Sequence, residues 1–600
     1  MNMPWLRRVV NRVSVSRLII NIVNFAALKT KPMKINQDKH SAFVPNFLLG
    51  TAGGIQYIKL KKASRNPRKS QEKCLRDILN YGKDTVFGKE HRFSYILEAK
   101  TAEELFQRYQ QYVKPSDYED FRPYVNRMKE GQADVLFQGR PVLYATTSGS
   151  TGEPKWIPIS EAYLTNIYGK MNKVWLFNFI KNRPKTYQGY IVSIVGKQIE
   201  GYTPDGTIYG SVSGFTQKNC PGFVKKLYVS PSEVFNIEDY TARNYVIMRM
   251  GIERNTTLCV TANPSTMVEM QKNVDFWFDE YVKDIENGTI TDKVDVPQDI
   301  REACAPYLKP NPERAEELRE LKRLHGQVLP KHFWPNLQLL TTWKCGNTRI
   351  YLDKLEGCFP EGMLHQEFAY FSSECRAGLV LDDSIETTLF PHFHYYEFKK
   401  ADEFEDPDAR FYQLDELVEG EQYCPFVTTF SGLYRYNMND IIQAASPFGN
   451  TPRIHMVQKV NGIVTITGEK LYEGQFINAV NAASEATGLK LNYFTGYANL
   501  PESRYDFYYE FEDDTVDQSR AEAFTALVDE NIKKANIEYK AKRDSFRLHD
   551  PVTHRLERNS FGKFKEYILE QTRQDASRFK PNVLAQNEER HEVIRRFVLE

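Results

Sequence analysis

The sequence predicts an α/β protein: a large N-terminal domain of sheets flanked by helices, followed by a smaller α+β domain. Three observations predict it. At 600 residues the chain is too long for one ordinary hydrophobic core. Short apolar or alternating runs interleave with segments of helical periodicity, the pattern of a layered α/β fold. After about residue 460 the pattern changes, and the remaining stretch is long enough for an independent domain.

The first 44 residues form a basic, amphipathic extension. Arg7, Arg8, Arg12 and Arg17 precede an apolar run from Leu18 to Leu28. That run is shorter than the ~20 residues a membrane-spanning helix needs, and no small-residue cleavage site follows it. Two readings stay open for residues 1–30: a helix in peripheral contact with a membrane, or an ordinary helix docked on the protein body.

Residues 45–460 are expected to form the large domain. In "KSQEKCLRDILNYG", Cys74, Leu75, Ile78 and Leu79 fall at helical spacing and stop near Gly82. Further helices are expected at 102–113, at 265–286 after Asn263-Pro264-Ser265, and at 312–325. Between them "PVLYA", "GYIVSIVG", "TTLCVTA", "LQLLTTW" and "GLVLDD" read as strands. No repeat or low-complexity linker interrupts them. The joint is placed between Gln458 and Gly468, and residues 461–600 make the smaller, lid-like domain. There "GIVTITGEKL", a helix at 474–487, the alternating run 491–513, a helix from 517 and "DSFRLH" follow in order.

Composition excludes several classes of function. Lys and Arg number 79 against 78 Asp and Glu, so no global basic field recruits nucleic acid. Eight scattered cysteines with no Cys-x-x-Cys pair indicate neither a disulfide framework nor a zinc site, which makes a reducing cytoplasm the default. His392 and His394 in "PHFHYYEF" read as one face of a strand rather than a metal pair.

The stretch "ATTSGSTGEPKWIP", 145–158, concentrates hydroxyls, glycines and a lysine. It fails the Walker pattern, because Gly152 is followed by Glu153-Pro154-Lys155. Its physics still suits phosphate: glycines permit close backbone approach, and hydroxyls and amides donate to anionic oxygen. The bland alternative is a Ser/Gly-rich surface turn.

The run Thr147-Ser148-Gly149-Ser150-Thr151-Gly152-Glu153-Pro154-Lys155 resembles the phosphate loop of the adenylate-forming superfamily, which includes acyl-CoA synthetases and luciferases. Two further motifs accompany it. "EFAYFSSECRAGL" holds Tyr370, Ser372, Ser373 and Glu374, and "SGLYRYNMNDII" holds Tyr434, Arg435, Tyr436 and Asp440. In that order they are similar to one branch, the auxin-responsive (Gretchen Hagen) family of acyl-acid amido synthetases. "WPNLQLLTTWKCGNTRIYLDKLEG" resembles that branch's approach to the nucleotide loop, and "FGKFKEYILEQTRQDASRFKP" its closing helix and Lys-Pro turn. The resemblance runs from about residue 45 to about 590.

The resemblance implies roles. Thr147, Ser148, Gly149, Ser150, Thr151, Gly152 and Lys155 would hold ATP phosphates, with Gly346, Tyr370, Ser373 and Asp440 around the nucleoside. Asp440 would take the ribose hydroxyls, since a carboxylate accepts two donors. Glu374 offers the hard oxygen that Mg2+ prefers. Lys580 would stabilise charge developing on the α-phosphate. The segment 203–215, "TPDGTIYGSVSGF", resembles the acyl pocket; Gly210 and positions 212 and 214 (Val212 and Gly214, beside Ser211 and Ser213) are its expected lining. Some positions depart from the family pattern: Asn439 and Asn437 replace a usual Gly and Arg, Lys459 a common Arg, and Gly462 an acidic hinge residue.

The implied activity is ATP-dependent conversion of a carboxylic acid to an acyl-adenylate with release of pyrophosphate, followed by amide formation with an amine, in particular an amino acid. The expected cofactors are ATP and Mg2+, and the partners are small molecules. Transfer to a thiol such as coenzyme A, and nucleotide binding without turnover, are the alternatives.

Overall fold

A computed structural model describes residues 43–599 apart from 148–154, 346–348, 465, 467–468, 470, 545–547, 573–582 and 586–587. Ser148, Gly149, Ser150, Thr151, Gly152, Gly346 and Lys580 therefore lie outside the described residues, as does the amphipathic reading of residues 1–30.

Local signals set the helix ends. Asn66 accepts from Lys69 N and Pro67 opens the helix Pro67–Gly82, which buries Cys74, Leu75, Ile78 and Leu79. Thr101 caps Ala102–Tyr112, and Asn311 with Pro312 caps Pro312–His325, which ends at Gly326 with φ 71°. The helix Ser265–Asn287 stops at Gly288, also left-handed.

Eight strands precede residue 368: β1 (Leu143–Thr147), β2 (Lys155–Ile159), β3 (Tyr190–Ser193), β4 (Gly201–Tyr202), β5 (Ile208–Gly210), β6 (Thr256–Val260), β7 (Leu339–Thr342) and β8 (Leu364–Glu367). They form a mixed sheet, β2-β1-β5-β4, and a parallel sheet, β3-β6-β7-β8. The parallel strands are largely buried, β3 and β7 along their whole length, with helices Tyr240–Glu253 and Ser265–Asn287 contributing to the same core.

An antiparallel sheet follows, built from β9 (Gly378–Leu379), β10 (Thr387–Leu389), β11 (Tyr395–Lys400), β12 (Tyr412–Gln413), β13 (Gln422–Thr428), β14 (Tyr436–Asn437), β15 (Asp440–Phe448) and β16 (Thr451–Lys459). Its order is β12-β11-β13-β15-β16-β10-β9, with β14 on β13. A buried ion pair, Arg435 Nε to Glu397 Oε2 at 2.8 Å, ties β11 to the turn that precedes β14.

Beyond it, β17 (Ile463–Val464) and β18 (Leu471–Tyr472) form a short antiparallel pair. The hairpin β19 (Leu491–Asn499) and β20 (Arg504–Phe511) takes β21 (Val552–Arg555) and β22 (Leu584–Ala585) on its two edges, both parallel. Helices Glu473–Thr487 and Gln518–Ala535 cover that sheet through Phe476, Val480, Phe524 and Val528. This is the α/β architecture with a separate α+β C-terminal unit that the sequence predicts.

Helix Ile537–Asp544 precedes β21 in the C-terminal unit. Two local readings are corrected. "PHFHYYEF" becomes a strand only at Tyr395, so His392 sits in the preceding turn. "GLVLDD" contributes two strand residues, Gly378 and Leu379. The eight cysteines are free thiols. Among the described residues no helix is long and apolar enough to cross a membrane.

Candidate active site

β1 lies inside its sheet and β2 at the edge, paired so that Thr147 faces Lys155 in register. The two residues therefore bracket the expected phosphate loop. Lys155 Nζ donates to the Tyr436 hydroxyl at 3.4 Å and lies 5.9 Å from the Tyr118 ring centre. Tyr118 is itself anchored, because its hydroxyl accepts from Trp156 N–H at 2.6 Å.

The second and third motifs meet in the core. Asp440 opens β15 and is 2% exposed. The turn before it needs a left-handed residue, which Asn439 supplies at φ 56°, and Asn437 Oδ1 accepts Asn439 N–H at 2.9 Å. The Tyr370 hydroxyl donates to Asp440 Oδ2 at 2.6 Å. Burial and the Asp440 charge push the Tyr370 phenol well above its ordinary range. The Tyr370 ring belongs to the main hydrophobic core.

Glu374 sits in a tight turn in which Ser372 N–H donates to Cys375 O at 3.0 Å. The half-buried Glu374 carboxylate acts electrostatically on both Tyr370 and Tyr436, whose phenol is raised first by burial and next by Glu374. Lys155, Tyr436, Glu374, Tyr370 and Asp440 thus form one cluster. Arg435 and Tyr434 do not join it: the guanidinium serves Glu397 and Val113 O, and the Tyr434 hydroxyl donates to Leu136 O.

Next to the cluster lies a part-open pocket of about 420 Å³ of empty space, solvent mouth included. Gly210, Ser211, Val212 and Ser213 line one side, and Phe371, Ser372 and Ser373 another. Gly214 lies behind this lining, and the glycines here serve close packing. A Cβ on Gly210 would stand 2.2 Å from Gln198 O, and one on Gly214 2.3 Å from Gly196 O. Ser211 caps the helix Val212–Lys218 by accepting from Gly214 N.

Sequence reasoning missed three residues here. Tyr163 and Tyr168 line the pocket from a π-helical turn, Tyr163–Tyr168, a geometry with no propensity signature. Arg376 stands two residues past Glu374 inside a quoted motif, yet nothing in the sequence marks it. It is 4% exposed, and its guanidinium lies 5.0 Å from the Tyr168 ring and 5.6 Å from the Phe371 ring.

This layering of sheets, with a separate C-terminal unit, is that of the adenylate-forming enzymes. A structure of 2-hydroxyisobutyryl-CoA ligase in its postadenylation state superposes with TM-score 0.52 at 11% identity, covering 88% of this chain and 91% of that one. The GH3.15 acyl acid amido synthetase superposes with TM-score 0.78 at 21% identity, covering 90% and 95%. The chain belongs to the GH3 family: its N-terminal domain model matches residues 56–364, its central domain model 387–459 and its C-terminal domain model 474–589. Among curated relatives, the Arabidopsis thaliana indole-3-acetic acid-amido synthetase GH3.6 is 26% identical over 482 residues, 74% of this chain and 76% of that protein. The Arabidopsis thaliana 4-substituted benzoates-glutamate ligase GH3.12 is 25% identical over 461 residues, 73% and 78%.

Proposed function

We propose that this protein joins a carboxylic acid to an amine, an amino acid in the first instance, by way of an acyl-adenylate. In the first step a carboxylate oxygen attacks the α-phosphorus of ATP, the bond to the β-phosphate oxygen breaks, and pyrophosphate leaves. In the second the amine nitrogen attacks the acyl carbon, AMP leaves with the bonding pair, and the amine's proton is released. The observation that carries this reading is the Tyr370–Asp440 hydrogen bond beside Glu374 and Lys155, at the edge of a part-open pocket. Family membership and the names of the relatives support it.

Each residue has a task. Asp440, held by Tyr370, receives the ribose hydroxyls. Lys155 and the hydroxyls of residues 147–151 take the phosphates. Ser373 lies between nucleotide and acid, and the pocket that Gly210, Ser211 and Ser213 line positions the acid so that its carboxylate meets the α-phosphate in line. Lys580 supplies positive charge where the displacement develops negative charge.

Glu374 fits Mg2+. It offers a carboxylate oxygen, and among the described residues no set of three or more His, Cys, Asp or Glu forms a rival cage. A single carboxylate completed by substrate phosphates is the usual way Mg2+ is held, and the ion would neutralise phosphate charge there. The test is acid-dependent pyrophosphate release from ATP over a panel of acids, with mass analysis of products formed in an amino-acid pool. Amides and AMP are the expected products; ADP would contradict the adenylate route.

A further inference from the structure

Arg376 is buried, and among the described residues no carboxylate pairs with it. Its described acceptors are Asn172 Oδ1, bonded to Nη1, and the Tyr168 hydroxyl. The ionisable groups that act on it are the phenols of Tyr168 and Tyr163, and no carboxylate among the described residues is one of them. Three rings surround the guanidinium: Tyr168 at 5.0 Å, Trp175 at 5.2 Å and Phe371 at 5.6 Å. Its backbone is fixed as well, since Arg376 N–H donates to the Tyr163 hydroxyl at 3.1 Å and His394 Nε2 donates to Arg376 O at 3.1 Å.

Two other buried arginines have a bonded carboxylate, whereas Arg254, also 4% exposed, lies against rings as Arg376 does, those of Tyr190 and Tyr307, with Glu253 acting on it electrostatically. Arg249 Nη1 meets Glu253 Oε2 at 2.5 Å, and Arg435 Nε meets Glu397 Oε2 at 2.8 Å. Both pairs are nearly sealed from solvent. A buried cation lacking such a partner is unfavourable, and ring faces offset part of that cost. Burial accordingly lowers the Arg376 pKa. A guanidinium offers five N–H donors in a fork that matches a carboxylate.

Place decides the ligand. Tyr168 and Phe371, two of the rings that hold the guanidinium, also line the pocket, as do Ser372 and Ser373. Glu374, two residues before Arg376, belongs instead to the Tyr370–Tyr436–Asp440 cluster where adenylation is proposed. If adenylation occurs at that cluster, an acid in the pocket would turn its reacting carboxylate there and leave its remainder against the aromatic wall.

Building on the proposed adenylation, we infer that the pocket selects acids bearing a second anionic group away from the reacting carboxylate, a dicarboxylic acid in the simplest form, and that Arg376 receives that group. The incoming carboxylate replaces Asn172 as the acceptor and supplies the charge the guanidinium lacks.

The test compares hexanoate with adipate, and benzoate with terephthalate, in acid-dependent pyrophosphate release by the full chain. The wild type should favour each diacid by roughly tenfold to a hundredfold in kcat/KM, carried mainly by KM, the usual worth of hydrogen bonds to a charged group. Arg376→Met should bring both ratios close to one. Asn172→Asp provides a second test that keeps the cation: it places a carboxylate against Arg376, should raise Tm, and should erase the diacid preference equally. A wild type that releases pyrophosphate with the monoacids and gains nothing from the diacids overturns this inference and leaves the proposed activity standing. A preference that survives in both variants also overturns it. Absence of release with every acid overturns both.

Discussion

The Tyr370 hydroxyl donates to Asp440 Oδ2 at 2.6 Å, joining two motifs 70 residues apart in the chain. The bond is buried, and the Tyr370 ring is packed in the core, so the carboxylate sits on a rigid support. Tyr370→Phe removes the donor and leaves Asp440 with less support. It should cost about 1–3 kcal/mol of unfolding free energy, the range for a buried hydrogen bond to a charged group. It should also raise the KM for ATP while leaving the KM for the acid near its starting value. Denaturant unfolding and steady-state kinetics check both. An unchanged KM for ATP would remove Asp440 from the nucleotide site.

Glu374 stands in the turn that Ser372 and Cys375 close. Glu374→Gln keeps the shape and replaces a hard anionic ligand with a poor neutral one. The Mg2+ concentration giving half-maximal rate should rise by about tenfold or more. A Mg2+ titration at saturating ATP reads it. An identical titration curve would place the metal elsewhere.

Glu473 is the buried carboxyl with a pH consequence. Its Oε1 accepts Val583 N–H at 2.6 Å, and burial pushes its pKa from 4.5 up to about 7 against the pull of that bond. A Cβ on Gly462 would come within 3.0 Å of its Oε2, so close approach explains the glycine there. The fold favours the protonated form. Glu473 therefore contributes most to stability below the ordinary carboxyl range, and the contribution is lost as pH rises through about 7. At ~1.4 kcal/mol for each pH unit separating the folded and unfolded pKa, the full loss approaches about 3 kcal/mol. Glu473→Gln keeps an acceptor for Val583 and removes the titration. Wild type and variant should unfold alike near pH 5, and the variant should be more stable above pH 8. Parallel stability curves across that range would contradict the assignment.

Much of this was legible in sequence where a short-range signal acts alone. The helix Pro312–His325 matches its expected ends because Asn311, Pro312 and Gly326 mark them. Asn439 stands where the resembled family has Gly, and its φ of 56° is the left-handed conformation that position needs. Signals that depend on tertiary packing were not legible. "PHFHYYEF" alternates like a strand, but His394 spends its ring on Arg376 O, and regular pairing starts at Tyr395. The pocket tyrosines lie on a π-helical turn, and the burial of Arg376 follows from ring contacts brought by Tyr168 and Trp175. The serines of the acyl segment stand at 211 and 213, with Val212 and Gly214 between and after them.

Lys580 is assigned by resemblance, to the adenylation step alone. Lys580→Ala should suppress that step by roughly a hundredfold to thousandfold, the usual loss of one preorganised charge-stabilising group. Amide formation from a separately prepared acyl-adenylate should barely change, and ATP affinity should fall only modestly. Equal loss in both half-reactions would mean that Lys580 is not a step-specific catalyst.

The most direct measurement is isotope exchange between pyrophosphate and ATP. A reversible adenylation returns labelled pyrophosphate to ATP only when the acid is present and needs no amine. The account predicts acid-dependent exchange with a diacid such as adipate, and its near-complete loss on Glu374→Gln at limiting Mg2+. Exchange without any acid, or acid-dependent formation of ADP with no exchange at all, would contradict it.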